Sequence, residues 1–198
     1  MKSIKRILKE LFKDPMGRIG LIGVVLIIML SVLAPVISTH DITEMYTQDK
    51  LREPCGEYLF GTDNYGRDVF SRIIYGARVS LEVGIISVGI AAIFGLIFGV
   101  ISGYFEGWVD NLIMRFMDIL FAFPSILLAL FIVSALGPSI ANTMIAIGIV
   151  NTPVFTRTVR ASVISVKSTE YITSARSIGL KPASIILKHI IPNILSPF

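Results

Sequence analysis

Charge is what this sequence has least of. Only 16% of its 198 residues are Asp, Glu, Lys or Arg, where a water-soluble chain carries roughly 25%. That excludes an ordinary globule, because 54% of the residues are hydrophobic and mean hydropathy is +0.77. The apolar excess must face something other than water. Cysteine is nearly absent: Cys55 stands alone, which excludes an internal disulfide and a cysteine-built metal cluster. No second His or Cys lies near His189 in the sequence, so a metal role is not expected there. No phosphate-binding glycine loop, zincin helix or serine-nucleophile motif occurs. No catalytic residue, cofactor or metal is therefore assigned. The formal net charge of +4 sits beside apolar runs, which excludes a nucleic-acid surface as the simplest account.

What is present is a set of long apolar runs between polar segments. Residues 2–13 read as an amphipathic helix. Ile4, Ile7, Leu8, Leu11 and Phe12 share one side and Lys2, Lys5, Arg6, Lys9 and Lys13 the other, as in a helix lying in a bilayer interface. Asp14-Pro15 breaks it. An uncharged run from 19 to 37 follows, long enough at about 1.5 Å per residue to cross about 30 Å of hydrocarbon. A cleaved signal peptide is the competing account, but Pro35 and the long basic lead-in favour a retained span. Six Lys or Arg precede the run, which predicts a cytoplasmic N-terminus. Residues 38–78 hold five Lys or Arg against seven Asp or Glu. They are expected outside, as a loop held by ion pairs among residues such as Asp63, Arg67 and Asp68, with a short amphipathic helix over 68–75.

A second span is expected over 80–104. Ser87, Ala91, Gly95, Gly99 and Gly103 recur along it every fourth residue. In a bilayer, helices associate by close backbone approach along such a stripe, so Ala91, Gly95, Gly99 and Gly103 are assigned to helix packing. A third span, 112–136, contains Pro124, which predicts a kink, and Arg115 and Asp118, spaced to pair. A fourth, 139–156, carries Pro153 near its end, where the backbone is expected to be disturbed. Arg157, Arg160, Lys167, Arg176, Lys181 and Lys188 follow, opposed only by Glu170. An even number of spans separates the two basic clusters, so both are predicted to face the cytoplasm. The expected divisions are an N-terminal helix over 1–17, a first span over 18–37, an external loop over 38–78 and a transmembrane core over 79–198. Within that core, 157–191 forms a cytoplasmic loop and 192–198 opens a fifth span. The fold class is all-α, a polytopic transmembrane helical bundle.

The loop carries the most specific pattern. Ser168-Thr169-Glu170-Tyr171 is a helix start with an acidic first turn. Gly179 stands where a helix stops in a left-handed residue, and Lys181-Pro182 opens a second short helix. Gly179 lies nine residues after Glu170, and Pro192 thirteen after Gly179. With Thr173, Ser174 and Ala175 at the small-residue positions, this resembles the EAA loop of permease subunits of ATP-binding-cassette importers. His189 to Asn193 looks like the version in the peptide and nickel importers. The block Gly61-Thr62-Asp63, Gly66-Arg67-Asp68, Ser71-Arg72 and Tyr75 to Arg78 is similar to the region after the first span of the C-type permease in dipeptide and oligopeptide importers.

The resemblance implies a non-catalytic subunit of the type I importer permease fold in a bacterial or archaeal cytoplasmic (inner) membrane. Its partners would be a separate ATPase, a second related permease and an external solute-binding protein, with the lipid bilayer around it. Glu170 and Tyr171 would begin the ATPase-docking helix, and Ala175 would permit its close packing. Gly179 would set the turn, and Pro192 would mark the return to the membrane. Substrates would be peptides, or nickel and other small solutes. Such permeases continue with further spans, so an incomplete bundle is expected. The alternative function is a secondary transporter or channel without an ATPase, marked by intramembrane charges or paired broken helices; Pro124 and Pro153 are faint versions of the latter. A membrane scaffold with a generic docking helix is a third class.

Overall fold

The computed structural model describes residues 12–195. The amphipathic helix expected over 2–13 lies, except for its last two residues, outside them. The chain divides into two compact units, Met1–Glu82 and Val83–Phe198. Among the described residues regular structure is helical, with one isolated bridge between Thr62 and Asp68.

In the first unit, the first long helix begins directly after Asp14, ahead of the apolar run expected from 19. Asp14 caps α1 (Pro15–Ile37) by accepting from the Gly17 amide at 3.1 Å, and Pro15 takes the first position, where its missing N–H costs nothing. Twenty-three uncapped-in-the-middle residues, with Arg18 alone charged, suffice in length and apolarity to cross a membrane. The following segment is held by directed bonds. Gly61 and Gly66 take positive φ of 72° and 74°, a region that costs other residues about 1 kcal/mol or more. Asp63 accepts from the amides of Tyr65 and Arg67 and pairs with the Arg67 guanidinium at 2.8 Å. Asp68, buried, accepts from the Ser71 amide at 3.0 Å and the Thr39 hydroxyl at 3.0 Å. Tyr58 is buried against the His40 ring, with centroids 4.8 Å apart.

Helix α2 (Val69–Phe105) takes in both the short helix expected over 68–75 and the span expected from 80. It too is long and apolar enough to cross a membrane. In the second unit, Glu106 with φ 54° separates it from α3 (Gly107–Ala122). The kink expected at Pro124 is a full break: α4 (Ser125–Leu136) leaves α3 at 95°. Pro124 lacks the amide that would continue the ladder, and it drives Phe123 into an extended conformation. Gly137 at φ 92° turns the chain. Ser139 then caps α5 (Ile140–Lys167), while the Asn142 side chain donates to the carbonyls of Leu136 and Gly137.

Helix α5 runs eleven residues past the span end expected at 156 and passes through Pro153 unbroken. Around the proline, Thr152 and Thr156 hydroxyls donate back to the carbonyls of Gly148 and Thr152 at 2.9 Å. On length and composition, α5 is not among the helices apolar enough to cross a membrane. Asn142, Asn151, Thr152 and Arg157 dilute it. The reason is its position: Met144, Ala146, Gly148, Thr152, Pro153, Thr156 and Val163 are buried against protein, so this helix need not present apolar side chains all round.

Candidate functional site

The second unit places most of the singled-out residues around one end of α5. Along its length α5 runs parallel to α2. A Cβ added at Gly95 would collide with Phe155; one at Gly99 would lie 2.7 Å from the Val159 Cβ, and one at Gly103 2.9 Å from the Val163 Cβ. Only hydrogen fits at these three positions. Ala91 is fully buried, and Ser87 donates to the Met144 carbonyl at 3.0 Å. Gly148 returns the approach from α5, its Cα facing Ile90.

Past Lys167 the chain turns through Ser168 and Thr169 into α6 (Glu170–Ser177). Glu170 is exposed in the first turn, where the helix dipole favours a carboxylate. Ile172 and Ala175 are buried, three apart on one face. Ile172 joins a core with Val100 and Tyr104 of α2, Val163 of α5 and Ile185, Ile190 and Ile194 farther on. The helix ends in a Schellman turn: Gly179, at φ 79°, donates to the Arg176 carbonyl, and Leu180 to that of Ala175. The next helix starts at Pro182 as α7 (Pro182–Ile185), widens through a π-turn over Ile186–Ile190 and continues as α8 (Ile191–Leu195). The wide turn precedes Pro192, whose missing amide would leave the Lys188 carbonyl of an ordinary helix unmatched. Pro192 is exposed, and Asn193 donates to the His189 carbonyl.

One side of this loop is thus seated and the other is open. Tyr171, Ile178, Leu180 and Leu187 are exposed, Ile178 at 77%, and Lys181 and Lys188 stand among them. Tyr171 also tilts over His189, with ring centroids 6.4 Å apart.

A polar clamp joins the same end of the unit, and the sequence pattern did not reveal it. Arg160 donates to both carboxylate oxygens of Asp110, from Nε at 2.7 Å and Nη2 at 2.6 Å, and the buried Ser102 hydroxyl bonds Asp110 as well. Lys167 reaches the Tyr104 carbonyl and Glu106, each at 2.8 Å. Asp118 pairs with Arg157 at 2.8 Å, not with Arg115 as its spacing predicts: a long-range partner outcompetes the i, i+3 neighbour. The available signal was charge abutting apolar runs at 110 and 160; nothing in the spacing links them. Among the described residues no three His, Cys, Asp or Glu side chains converge as metal ligands would.

Comparison with known proteins matches residues 95–198 to the family described as binding-protein-dependent transport system inner membrane component. Residues 3–54 match the N-terminal TM domain of oligopeptide transport permease C. The chain is similar to the dipeptide transport system permease protein of Alkalihalophilus pseudofirmus, 46% identical over 189 residues, covering 96% of this chain and 62% of the relative. It is also similar to the glutathione transport system permease protein of Escherichia coli, 43% identical over 185 residues, covering 93% and 61% respectively. The chain therefore spans less than two thirds of these relatives' lengths. It belongs to the family of binding-protein-dependent transport system inner membrane components.

Proposed function

We propose that this chain supplies the membrane-spanning permease part of an ATP-binding-cassette importer for small peptides and docks a separate ATPase through α6 and the residues after it. The observation that carries this is the two-sided mounting of α6. Ile172 fastens it to α2 and α5 with Ala175 buried on the same face, while Tyr171, Ile178, Leu180 and Leu187 stay open for a partner. A short helix held this way moves with α5 as one body, so force applied by an ATPase reaches the spans. Glu170 serves as a polar contact at the start of the docking helix, and Gly179 fixes the turn. Pro192 opens the return to the membrane, and Ala91, Gly95, Gly99 and Gly103 let α2 and α5 close on each other. The dipeptide and glutathione relatives favour peptides of that size as substrate.

The N-terminus and the basic stretch 157–188 lie in the cytoplasm, and residues 38–68 lie outside, where a solute-binding protein delivers substrate. The parallel course of α2 and α5 supports this, since each would descend from outside to inside. A second, related permease completes the path.

Gly179→Pro tests the docking. Gly179 donates its amide within the Schellman turn and holds a φ that proline does not adopt. The variant is expected to insert normally, to lose the ATPase on detergent purification and to abolish uptake. Normal transport by this variant, or a native chain that retains no ATPase, rules out the docking role.

A further inference from the structure

We propose that the Asp110–Arg160 ion pair sets the axial register of α5 along α2, and thereby positions α6; the second clause rests on the docking reading, the first does not. Gly95, Gly99 and Gly103 face Phe155, Val159 and Val163. Both rows repeat every four residues. A slide by one helical turn, about 5.4 Å, puts Gly95 against Val159, Gly99 against Val163 and Gly103 against Lys167, so each of the three glycines still meets a large side chain. Packing resists the slide chiefly where Thr152 would replace Gly148 at Ile90. Packing along such a seam is close but tells neighbouring registers apart poorly, and one-turn jumps are an established way for packed helices to switch.

Directed bonds break the degeneracy. The Asp110 carboxylate joins three helices, bonding Ser102 of α2 and Arg160 of α5 from its own place on α3. Its side chain is 13% exposed and that of Arg160 is 32%. A one-turn slide parts them and leaves two partly buried charges unmatched, a directed penalty that adds to the packing one at Gly148. The two-pronged guanidinium bond also fixes direction as well as distance. The other ties to α5 do this less well: Asp118–Arg157 also joins α3 to α5, but it is single-pronged and its side chains are 55% and 40% exposed. Ser87 to the Met144 carbonyl is a single neutral bond. Lys167, which faces Glu106 and the Tyr104 carbonyl, has a flexible stem that can follow a slide. Only Ser168 and Thr169 separate α5 from α6, so the axial position of α5 sets that of the docking helix.

Spin labels at Ile97→Cys and Ser165→Cys read the register, both positions being exposed and Cys55, the sole cysteine, being replaced by Ser. Unaltered Asp110 and Arg160 are expected to give one distance in the assembled transporter, and Asp110→Asn to add a population displaced by about 5 Å. Uptake per ATP hydrolysed is expected to fall about tenfold in Asp110→Asn while bound ATPase stays within about twofold. The exchanged pair Asp110→Arg with Arg160→Asp is expected to restore both. If Asp110→Asn does not reach the membrane, Arg160→Lys, which keeps the charge without the two-pronged bond, is expected to show the same shift at lower occupancy. One unshifted distance in the variants overturns the register role. A shifted distance with unchanged uptake per ATP overturns the positioning of α6. A native chain that binds no ATPase overturns the docking reading and that second clause, while the distances still decide the first.

Discussion

The α2–α5 seam and the segment over 38–68 solve the same problem by opposite means. The seam is held by shape: three glycines admit Phe155, Val159 and Val163 to within contact of the α2 backbone. The segment is held by direction, with Asp63 accepting from Arg67, Asp68 accepting from Thr39 and Ser71, and Gly61 and Gly66 turning the chain. Where water is absent, apolar packing at close range is the available glue, since lipid is no less apolar than leucine. Where water competes, a fixed loop conformation needs many weak, oriented bonds acting together. Glycine serves both, by its lack of volume in the seam and by its backbone freedom in the loop.

The seam should be the easier to break with one substitution. Gly99→Leu forces a side chain into a gap where even a Cβ meets Val159 at 2.7 Å, and overpacking of this kind costs about 3 kcal/mol. Thermal unfolding in detergent is expected to show that loss, and membrane abundance should drop with it. A variant as stable as the native chain would mean the seam yields and shape is not what holds it. Gly66→Ala tests the loop. It combines a positive φ of 74° with a Cβ driven into the Tyr46 carbonyl, and a loss of about 2 kcal/mol is expected, confined to the loop. Protease cutting over 38–68 should rise while the unfolding of the second unit stays unchanged.

The smallest effect is expected at Asp63, and pH reads it. Burial would raise its carboxyl pKa, but the amides of Arg67 and Tyr65 and the Arg67 guanidinium outweigh that and hold it below the ordinary value. A depressed folded value means the stabilisation is complete above the unfolded pKa of about 4 and is lost as pH falls through the folded one. Loop protection from protease is therefore expected to be level from neutral pH to about 4 and to decline below it. Asp63→Asn should lower the plateau by about 1 kcal/mol or less and flatten the decline. An unchanged acid limb would assign the loss to Asp68 or another carboxylate instead.

The existence and packing character of the helices were legible in the sequence because apolar length and four-residue spacing are local signals. The Schellman glycine at 179 was legible for the same reason, since its geometry involves residues no more than five apart. Helix limits were less so. The apolar run reads from 19, yet its helix starts at Pro15, because Asp14 caps it and the first turn need not be apolar. Pro153 and Pro124 look alike in sequence, yet one lies inside an unbroken helix and the other divides two. Thr152 and Thr156 with their back-bonded hydroxyls accompany the first, and Phe123 in an extended conformation precedes the second. Asp110 with Arg160 and Asp118 with Arg157 were not legible, because each partner lies about forty to fifty residues away and only packing brings them together.

The break at Phe123-Pro124 has a consequence for hydration. A helix that stops at Ala122 leaves its last carbonyls without amides to accept from. If α3 and α4 together cross the bilayer, those oxygens cannot face acyl chains, because irregular backbone at that depth survives only against protein or water. The corner at Phe123 is then a wet spot in an otherwise dry wall, and solvent reaches it from one side of the membrane or a neighbouring subunit caps it.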